Sequence, residues 1–177
     1  MAARALRLNI AVRDAGVADL PRVAAIKTAS WEDTYSALVP AEVLGPFLDV
    51  GAQLEHLRED LARRSTLLLV AVAGSREVVG FGLTYVDADP EPWLESLHVA
   101  PDFRSRGAGA AIVLGTADRL RALGNATLRL GVVAGNERAM RFYERLGAVH
   151  AGHEPASWAP GVRHEIYRWA DLSALPK

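Results

Sequence analysis

Cysteine is absent from this chain of 177 residues, which excludes disulfide bonds, thiolate metal sites and a covalent cysteine intermediate. A surplus of either charge is absent too. The formal net charge is −1 and the arginines are scattered along the chain, so nucleic acid is not an expected partner. Long apolar runs are also lacking, since the longest covers residues 67–73, and residues 1–8 have no core of signal-peptide length. We therefore expect a cytoplasmic protein with no membrane association and no bound metal.

The length and the hydrophobic content predict a single domain over residues 1–177. Half of the residues are hydrophobic, which is enough to bury a sizeable core. The spacing of apolar positions predicts the element order β-α-α-β-β-β-α-β-α-β-β. The predicted strands are residues 6–12, 66–73, 78–86, 93–99, 127–133, 148–154 and 163–169. The first helix is predicted to begin at Asp19 to Pro21, and a broken helical segment is predicted from Pro40 to Arg64. Two further helices are predicted to begin at Ala110 and at Asn136.

A glycine-rich loop between the predicted strand 93–99 and the next helix is the most informative stretch. Pro101 ends the strand because proline offers no N–H to a ladder, and apolar residues recur on one helix face from Ala110 to Gly124. Between them lies Arg104-Ser105-Arg106-Gly107-Ala108-Gly109. Its glycines let the backbone approach a ligand, while the first-turn N–H groups of the helix have no partners. This arrangement predicts an anion-binding site.

Two common phosphate-binding motifs do not fit this loop. A P-loop requires Lys followed by Ser or Thr after its last glycine, where this chain has Ala110 and Ala111. A dinucleotide fingerprint requires Gly or Ala three residues after Gly109, where Ile112 stands. It also requires an acidic residue at the end of the next strand, which reads Leu130-Gly131-Val132-Val133. Neither ATP nor NAD is therefore the expected ligand.

The remaining pattern, Arg-x-x-Gly-x-Gly after a strand that ends in Val-x-Pro, resembles the coenzyme A pyrophosphate loop of the GNAT N-acetyltransferase superfamily. Residues Asn136 to Gly147 resemble the Asn-x-x-Ala-x-x-Phe-Tyr-x-x-x-Gly helix of the same superfamily. The resemblance covers the chain from about Ile10 to Trp169. It implies the mixed α/β (α+β) GNAT fold, in which a mainly antiparallel twisted sheet is flanked by helices. Two parallel central strands would splay apart to hold coenzyme A.

The resemblance also implies acetyl-coenzyme A as cosubstrate, with its pyrophosphate on the amides of 104–110 and its pantetheine along the backbone of 97–99. The coenzyme-binding residues expected on this basis are Leu97, His98, Val99, Arg104, Ser105, Arg106, Gly107, Ala108, Gly109, Ala110 and Asn136. A positive charge at a helix start opposes the helix dipole, and a bound anion would account for Arg104. Asn136 is also expected to cap the helix that follows it.

Tyr143 shares the inward face of the last predicted helix with Ala139, Phe142 and Leu146. Its position alone fits a core residue whose hydroxyl reaches one partner. The matching tyrosine of the superfamily is thought to protonate the departing thiolate of coenzyme A. A phenol of pKa about 10 can donate to a thiolate whose acid has a pKa of about 8.5 where it is positioned and shielded from water. The resemblance therefore implies that Tyr143 is the general acid.

Glu95 is the candidate general base. It shares a strand face with three bulky apolar residues, an unusual place for a carboxylate unless a bulge or a cleft gives it water or a partner. A desolvated carboxylate with a raised pKa could deprotonate the attacking amine. Several superfamily members place a glutamate base instead at the positions that Trp93 and Gly131 occupy here. Three histidines are therefore alternative bases: His98, His150 and His153.

The implied reaction is direct N-acetyl transfer to a primary amine in a ternary complex, as the absence of cysteine requires. Residues 31–35 and 130–132 weakly resemble spermidine/spermine-type members, which favours a small polyamine-like acceptor. Acidic residues expected around the acceptor would favour cationic amines: Glu32, Asp33, Asp87, Asp89, Glu91 and Glu95. A protein N-terminus or lysine is the alternative acceptor, and a catalytically weak coenzyme A-binding or sensor module is the alternative function. GNAT members often dimerise, which leaves a homodimer open.

Overall fold

The computed structural model describes residues 9–74 and 76–175, which form a seven-stranded sheet with helices on both faces. The strands are β1 (Ile10–Asp14), β2 (Thr66–Ala73), β3 (Glu77–Tyr85), β4 (Trp93–Val99), β5 (Leu128–Val133), β6 (Val149–Pro155) and β7 (Arg163–Trp169). The helices are α1 (Leu20–Tyr35), α2 (Ala41–Leu44), α3 (Val50–Ala62), α4 (Ala108–Ala122) and α5 (Glu137–Arg145). This order confirms the prediction, and the broken helical segment is α2, a 3-10 turn and α3. Residues 6–8 of the first predicted strand lie outside the described residues.

The strands follow the order β1-β2-β3-β4-β5-β7-β6 across the sheet. Neighbouring strands are antiparallel except for β4 and β5, which run parallel. The last strand, β7, lies between β5 and β6, so it pairs on both sides while β6 forms the edge. The predicted mainly antiparallel sheet with one parallel pair is confirmed.

The parallel strands β4 and β5 meet at one end and separate at the other. They pair at Trp93 and Arg129, where the Arg129 N–H also donates to the carbonyl of Pro92 at 3.0 Å. Beyond this point β4 stays paired with β3 as far as Val99, and β5 with β7 as far as Val133, but they no longer pair with each other. The carboxyl-terminal halves of both strands therefore border a gap in the middle of the sheet, as predicted.

Successive side chains of a strand point to opposite faces of the sheet, and the two apolar faces pack against different helices. One cluster joins α1 and α3 to the sheet: Leu20, Val23, Ala24, Ile26, Leu57, Leu68, Val70, Phe81 and Leu83. A second joins α4 and α5 to β5 and β7: Val113, Ala117, Leu120, Leu128, Leu130, Val132, Tyr143, Tyr167 and Trp169. Within the described residues, no helix is both long enough and apolar enough to cross a membrane.

The start of α1 differs from the expected capping arrangement. Pro21 lies in the first turn as predicted, but the Asp19 side chain does not cap the helix. Its carboxylate instead accepts hydrogen bonds from the Gly16 N–H at 2.8 Å and from the Arg13 guanidinium at 2.7 and 2.9 Å. The aspartate therefore anchors the preceding turn to β1 rather than the helix end.

Two glycines of β3 allow a close approach of neighbouring backbone and of α4. A Cβ at Gly80 would lie 2.9 Å from the carbonyl oxygen of His98, and one at Gly82 would lie 2.5 Å from Cγ2 of Ile112 on α4. Ile112 is fully buried, so it has little room to move. The absence of side chains at these positions therefore sets how near the start of α4 sits to β4.

We expect Gly82→Ala to lower the free energy of unfolding by about 1–3 kcal/mol, because the added methyl overpacks the contact with Ile112. Gly45→Ala is the matched control, since a Cβ there meets nothing within 4 Å, and its effect should stay within about 0.5 kcal/mol. Urea unfolding followed by circular dichroism measures both. Equal stabilities for the two variants would contradict the close approach of α4.

Candidate active site

A cleft of about 820 Å³ opens where β4 and β5 separate. The sequence-predicted residues that line it are Glu95, Leu97, His98, Val99, Arg104, Ser105, Gly107, Gly109, Ala110, Asn136 and Tyr143. Two predicted coenzyme-binding residues do not line it. The Ala108 side chain is buried in the core, and the Arg106 guanidinium lies 5.8 Å from the Phe103 ring centroid. These two can contribute only through backbone groups or after movement of the side chain.

The first turn of α4 presents free amides at one end of the cleft. Gly107 has a φ of +93° at the N-cap and no side chain caps the helix. The first helical bond runs from the Ala111 N–H to the Gly107 carbonyl at 2.9 Å, so the N–H groups of Ala108, Gly109 and Ala110 have no acceptor within the helix. Such amides, at the positive end of the helix dipole, fit a phosphate or diphosphate group.

Gly109 has a packing role in addition to the ligand approach that the sequence predicts for it. A Cβ at this position would lie 3.1 Å from Cζ of Phe142, so glycine also allows α5 to pack against the start of α4. Asn136 caps α5 as predicted, because its side-chain oxygen accepts the Ala139 N–H at 3.2 Å. The glycine-rich loop motif at the start of α4 and the helix motif that begins at Asn136 are therefore packed against each other.

Arg104 has a protein partner that the sequence did not indicate. Its guanidinium forms an ion pair with Asp33 on α1, and its Nε donates to the Val99 carbonyl at 3.3 Å. The hydrogen bond from Arg104 also lowers the pKa of Asp33. The positive charge at this helix start, explained above by a bound anion, is thus matched by a carboxylate within the fold. A coenzyme contact of Arg104 stays a prediction.

The free edge of β4 supplies further hydrogen-bond donors. The Ala100 N–H bonds to the carbonyl of Val79 on β3 at 2.8 Å, and the direction of successive amides alternates along a strand. The N–H groups of Leu97 and Val99 therefore point toward the gap. Backbone groups at such an edge require a partner from water or from a ligand.

Glu95 lies at a β-bulge that turns it into the cleft. Leu83 on β3 pairs with Ser96 and Thr84 pairs with Leu94, so Glu95 has no partner across the ladder. Its carboxylate accepts a hydrogen bond from Nε1 of Trp93 at 2.7 Å. Although the side chain is open to the cleft, protein surrounds it on most sides, and this burial raises the pKa of Glu95 against the opposing hydrogen bond from Trp93. Both conditions named for a carboxylate at this position, a bulge and a cleft, are present.

Tyr143 is buried but faces the cleft. Its ring packs edge-on against Phe142 and Trp169, with centroids 5.0 and 6.0 Å away. Its hydroxyl forms no hydrogen bond with any residue that the structure describes, unlike that of Tyr167, which donates to Glu144 at 2.9 Å. Burial raises the pKa of Tyr143, so the phenol stays protonated. The partner expected of a purely structural tyrosine is missing.

His98 is held neutral by two neighbours on α1. Trp31 Nε1 donates to its Nε2 at 3.1 Å, and its Nδ1 lies 2.9 Å from the Ser30 hydroxyl. The indole can only donate, so the hydrogen-bond network assigns the proton to Nδ1. Burial lowers the pKa of His98 to about 3, and the positive charges of Lys27 and Arg104 add to this effect. The lone pair that a base would use is already occupied.

His164 is a cleft residue that the sequence analysis missed. Nε1 of Trp158 donates to its Nε2 at 3.1 Å, which assigns its proton to Nδ1 as well. Its ring fills the space above Gly131, where a Cβ would lie 2.5 Å from Nδ1. Burial lowers the pKa of His164. A histidine from β7 therefore occupies the place beside Gly131 that a glutamate side chain on β5 would need.

An aromatic cluster, which we define as Trp31, Tyr35, Phe47 and Trp158, lines the cleft beside these histidines. Ring centroids within it are 5.0–6.3 Å apart. The spacing of Trp31 and Tyr35 on one helix face could be read from the sequence. Nothing in the sequence placed Trp158, from the connection between β6 and β7, against them.

The acidic residues expected around the acceptor are for the most part elsewhere. Of the six, Glu95 alone lines the cleft. Asp33 pairs with Arg104, and Glu91 pairs with Arg168 at 2.7 Å. Three acidic residues that the sequence analysis did not single out line the cleft instead: Glu59 and Asp60 on α3 and Glu154 on β6. The charge argument for a polyamine acceptor therefore loses most of the residues on which it depended.

Similarity to known proteins defines the class of this molecule. The sequence model of the acetyltransferase (GNAT) family matches residues 27–148. The chain therefore belongs to the GNAT acetyltransferase family, which confirms the predicted family, its enzymatic class and the use of acetyl-coenzyme A that the family implies. A similarity particular to spermidine/spermine-type members stays a prediction.

Two curated relatives are named for small-molecule substrates. The chain is 28% identical to the L-methionine sulfoximine/L-methionine sulfone acetyltransferase of Pseudomonas aeruginosa, over 95% of this chain and 94% of that protein. It is 37% identical to the thialysine N-epsilon-acetyltransferase of Bos taurus, over 40% of this chain and 44% of the relative.

Solved structures share the fold. The PaiA N-acetyltransferase from Thermoplasma acidophilum, determined with coenzyme A, superposes with a TM-score of 0.73 at 20% identity and covers 90% of this chain and 98% of its own. The ribosomal-protein-S18-alanine N-acetyltransferase from Escherichia coli has a TM-score of 0.66 at 21% identity, with 90% and 92% of the two chains covered. These likenesses confirm the GNAT fold.

Proposed function

We propose that this protein transfers an acetyl group from acetyl-coenzyme A directly to the primary amine of a small molecule in a ternary complex. The observation that carries the proposal is that Glu95 and Tyr143 line the same cleft that begins at the free amides of α4. When bound, acetyl-coenzyme A supplies an acetyl thioester. The amine nitrogen forms a bond to the acetyl carbon, and the carbon–sulfur bond breaks. The base takes one proton from the amine nitrogen, and the general acid gives one proton to the departing thiolate.

Backbone groups would hold the cosubstrate. The amides of Ala108, Gly109 and Ala110 suit its pyrophosphate. The N–H groups of Leu97 and Val99 suit the pantetheine amides and the thioester carbonyl, since a fixed donor at that carbonyl stabilises developing negative charge. These backbone donors fit the cosubstrate, and a contact of the loop side chain Arg104 with the pyrophosphate stays a prediction.

Glu95 is the residue best placed to take the proton of the amine. The lone pairs of His98 and His164 are occupied by indole donors, and neither His150 nor His153 lines the cleft. A raised pKa makes the Glu95 carboxylate a stronger base than a solvated glutamate. The presence of both Glu95 and Tyr143 supports an enzyme over a sensor module.

A small acceptor is favoured over a protein lysine or N-terminus. The aromatic cluster gives the cleft a rigid apolar wall, which suits the side chain of a small molecule. The relative that matches along its whole length is named for small amino-acid derivatives. A polyamine stays a candidate that the acceptor panel described below tests.

The coenzyme site predicts selective thermal stabilisation. We expect acetyl-coenzyme A to raise the melting temperature, and ATP or NAD not to, because ligand binding to the native state stabilises it. Gly109→Val should abolish the shift while the unliganded protein still melts cooperatively. Gly45→Val is the control, since its Cβ meets nothing within 4 Å. Stabilisation by NAD equal to that by acetyl-coenzyme A would contradict the assignment.

Tyr143→Phe should keep the acetyl-coenzyme A shift and lower kcat by about 10²-fold, within the range for loss of a general acid. The ring still packs against Trp169, so stability should change little. Tyr167→Phe, which removes a hydroxyl bonded to Glu144 outside the cleft, is the matched control. Normal turnover by Tyr143→Phe would make Tyr143 a core residue only.

Glu95 predicts an acidic limb in the pH profile. Its pKa is raised above the ordinary 4.5, so the basic form is lost as the pH falls through this raised value, and kcat/KM should fall with it. Glu95→Gln should lower kcat/KM by about 10²–10⁴-fold and remove that limb, while the separate fall set by the pKa of the substrate amine itself persists. Glu55→Gln, on the exposed face of α3, should leave the profile unchanged. Retention of the limb in Glu95→Gln would assign the base elsewhere.

A further inference from the structure

Lys27 on α1 is a cation without a local partner. It lines the cleft and is half-buried, and it forms neither an ion pair nor a hydrogen bond with any residue in 9–74 or 76–175. A charged group removed from water is costly unless it is paired. Burial accordingly lowers the pKa of Lys27. A ligand that carries an anionic group would relieve this cost.

Other charged groups around the cleft have partners or water. Asp60 accepts a hydrogen bond from the Tyr85 hydroxyl at 3.0 Å, Glu95 accepts one from Trp93, and Arg104 pairs with Asp33. The arginines on the rim, Arg63, Arg138 and Arg145, are exposed. Glu95 and Asp60 are near enough to raise the pKa of Lys27 in part, but neither forms an ion pair with it. Lys27 differs from these groups in lacking both a partner and full hydration.

The position of Lys27 also bears on the kind of acceptor. Its Nζ lies 5.8 Å from the Trp31 ring centroid, so this cation already occupies one aromatic face. A second ammonium bound beside it, such as the distal end of a diamine, would be repelled. The aromatic cluster offers a wall suited to an uncharged side chain. Directly beside Lys27 and Trp31, an uncharged side chain therefore fits better than a second ammonium group.

We infer that Lys27 binds the carboxylate of the acceptor, so that the substrate class is an α-amino acid with an uncharged side chain, which the aromatic cluster receives. This inference rests on the proposed acetyl transfer. It assigns an anion subsite to Lys27 on α1, separate from the free amides of α4 that suit the pyrophosphate. The α-amine would then be presented to Glu95.

The test compares matched acceptors with acetyl-coenzyme A by thiol release. The pairs are L-methionine sulfone with its carboxamide and L-leucine with 3-methylbutylamine, and spermidine and putrescine complete the panel. Each carboxylate should give the higher kcat/KM. The decisive quantity is how the ratio within a pair changes on mutation, because the amines differ in their own pKa. Lys27→Met should lower that ratio by about 10- to 100-fold, the value of a charge-assisted hydrogen bond.

Two further variants separate charge from structure. Lys27→Arg should retain most of the preference, and Arg58→Gln, which removes an exposed cation from α3, should retain all of it. Unchanged ratios in Lys27→Met, or faster reaction of spermidine than of every amino acid, would overturn the inference while leaving acetyl transfer intact.

Binding keeps the inference testable without turnover. In the presence of coenzyme A, L-methionine sulfone or L-leucine should raise the melting temperature of the native protein and not that of Lys27→Met. If no amine is acetylated but this shift appears, the proposed function fails and the anion subsite stands. If no carboxylate shifts the native protein, the subsite is overturned.

Discussion

The cleft in the middle of this structure depends on backbone N–H and C=O groups that the fold leaves without hydrogen-bond partners. After the pair formed by Trp93 and Arg129, β4 and β5 diverge and their facing edges have no partner in the sheet. The first turn of α4 adds amides without acceptors, and Gly82 brings that helix close to the divergence. Buried backbone groups require partners. The central gap therefore offers main-chain hydrogen-bonding groups to water or to a ligand.

Around the gap, hydrogen bonds from neighbouring side chains occupy the lone pairs of some acid–base groups and leave other acid–base groups available. Indole donors from Trp31 and Trp158 occupy the lone pairs of His98 and His164, and burial lowers the pKa of both rings. The bulge at Glu95 directs a carboxylate into the same space. Tyr143 is protonated and its hydroxyl has no hydrogen-bond partner among the described residues, so the proposed base and acid both face the cleft.

The two ends of the cleft are built from different parts of the structure. One end is made of a loop, a helix start and strand edges, which are elements of the fold shared with proteins of 20–21% identity. The other end is made of side chains from α1, α3 and the connection between β6 and β7, which come together only through tertiary contacts. Family membership therefore identifies acetyl-coenzyme A as the acyl donor, and it does not by itself identify the acceptor.

The sequence by itself determined the features that depend on neighbours along the chain. Strand alternation, helix periodicity, the break at Pro101, the cap at Asn136 and the free amides before Ala110 all arise from local geometry. The tertiary structure alone decided the rest: the ion pair of Arg104 with Asp33, the contact of Trp158 with His164 above Gly131, and the isolation of Lys27. These depend on which distant segments the sheet order places side by side, and one sequence carries no periodic signal for that.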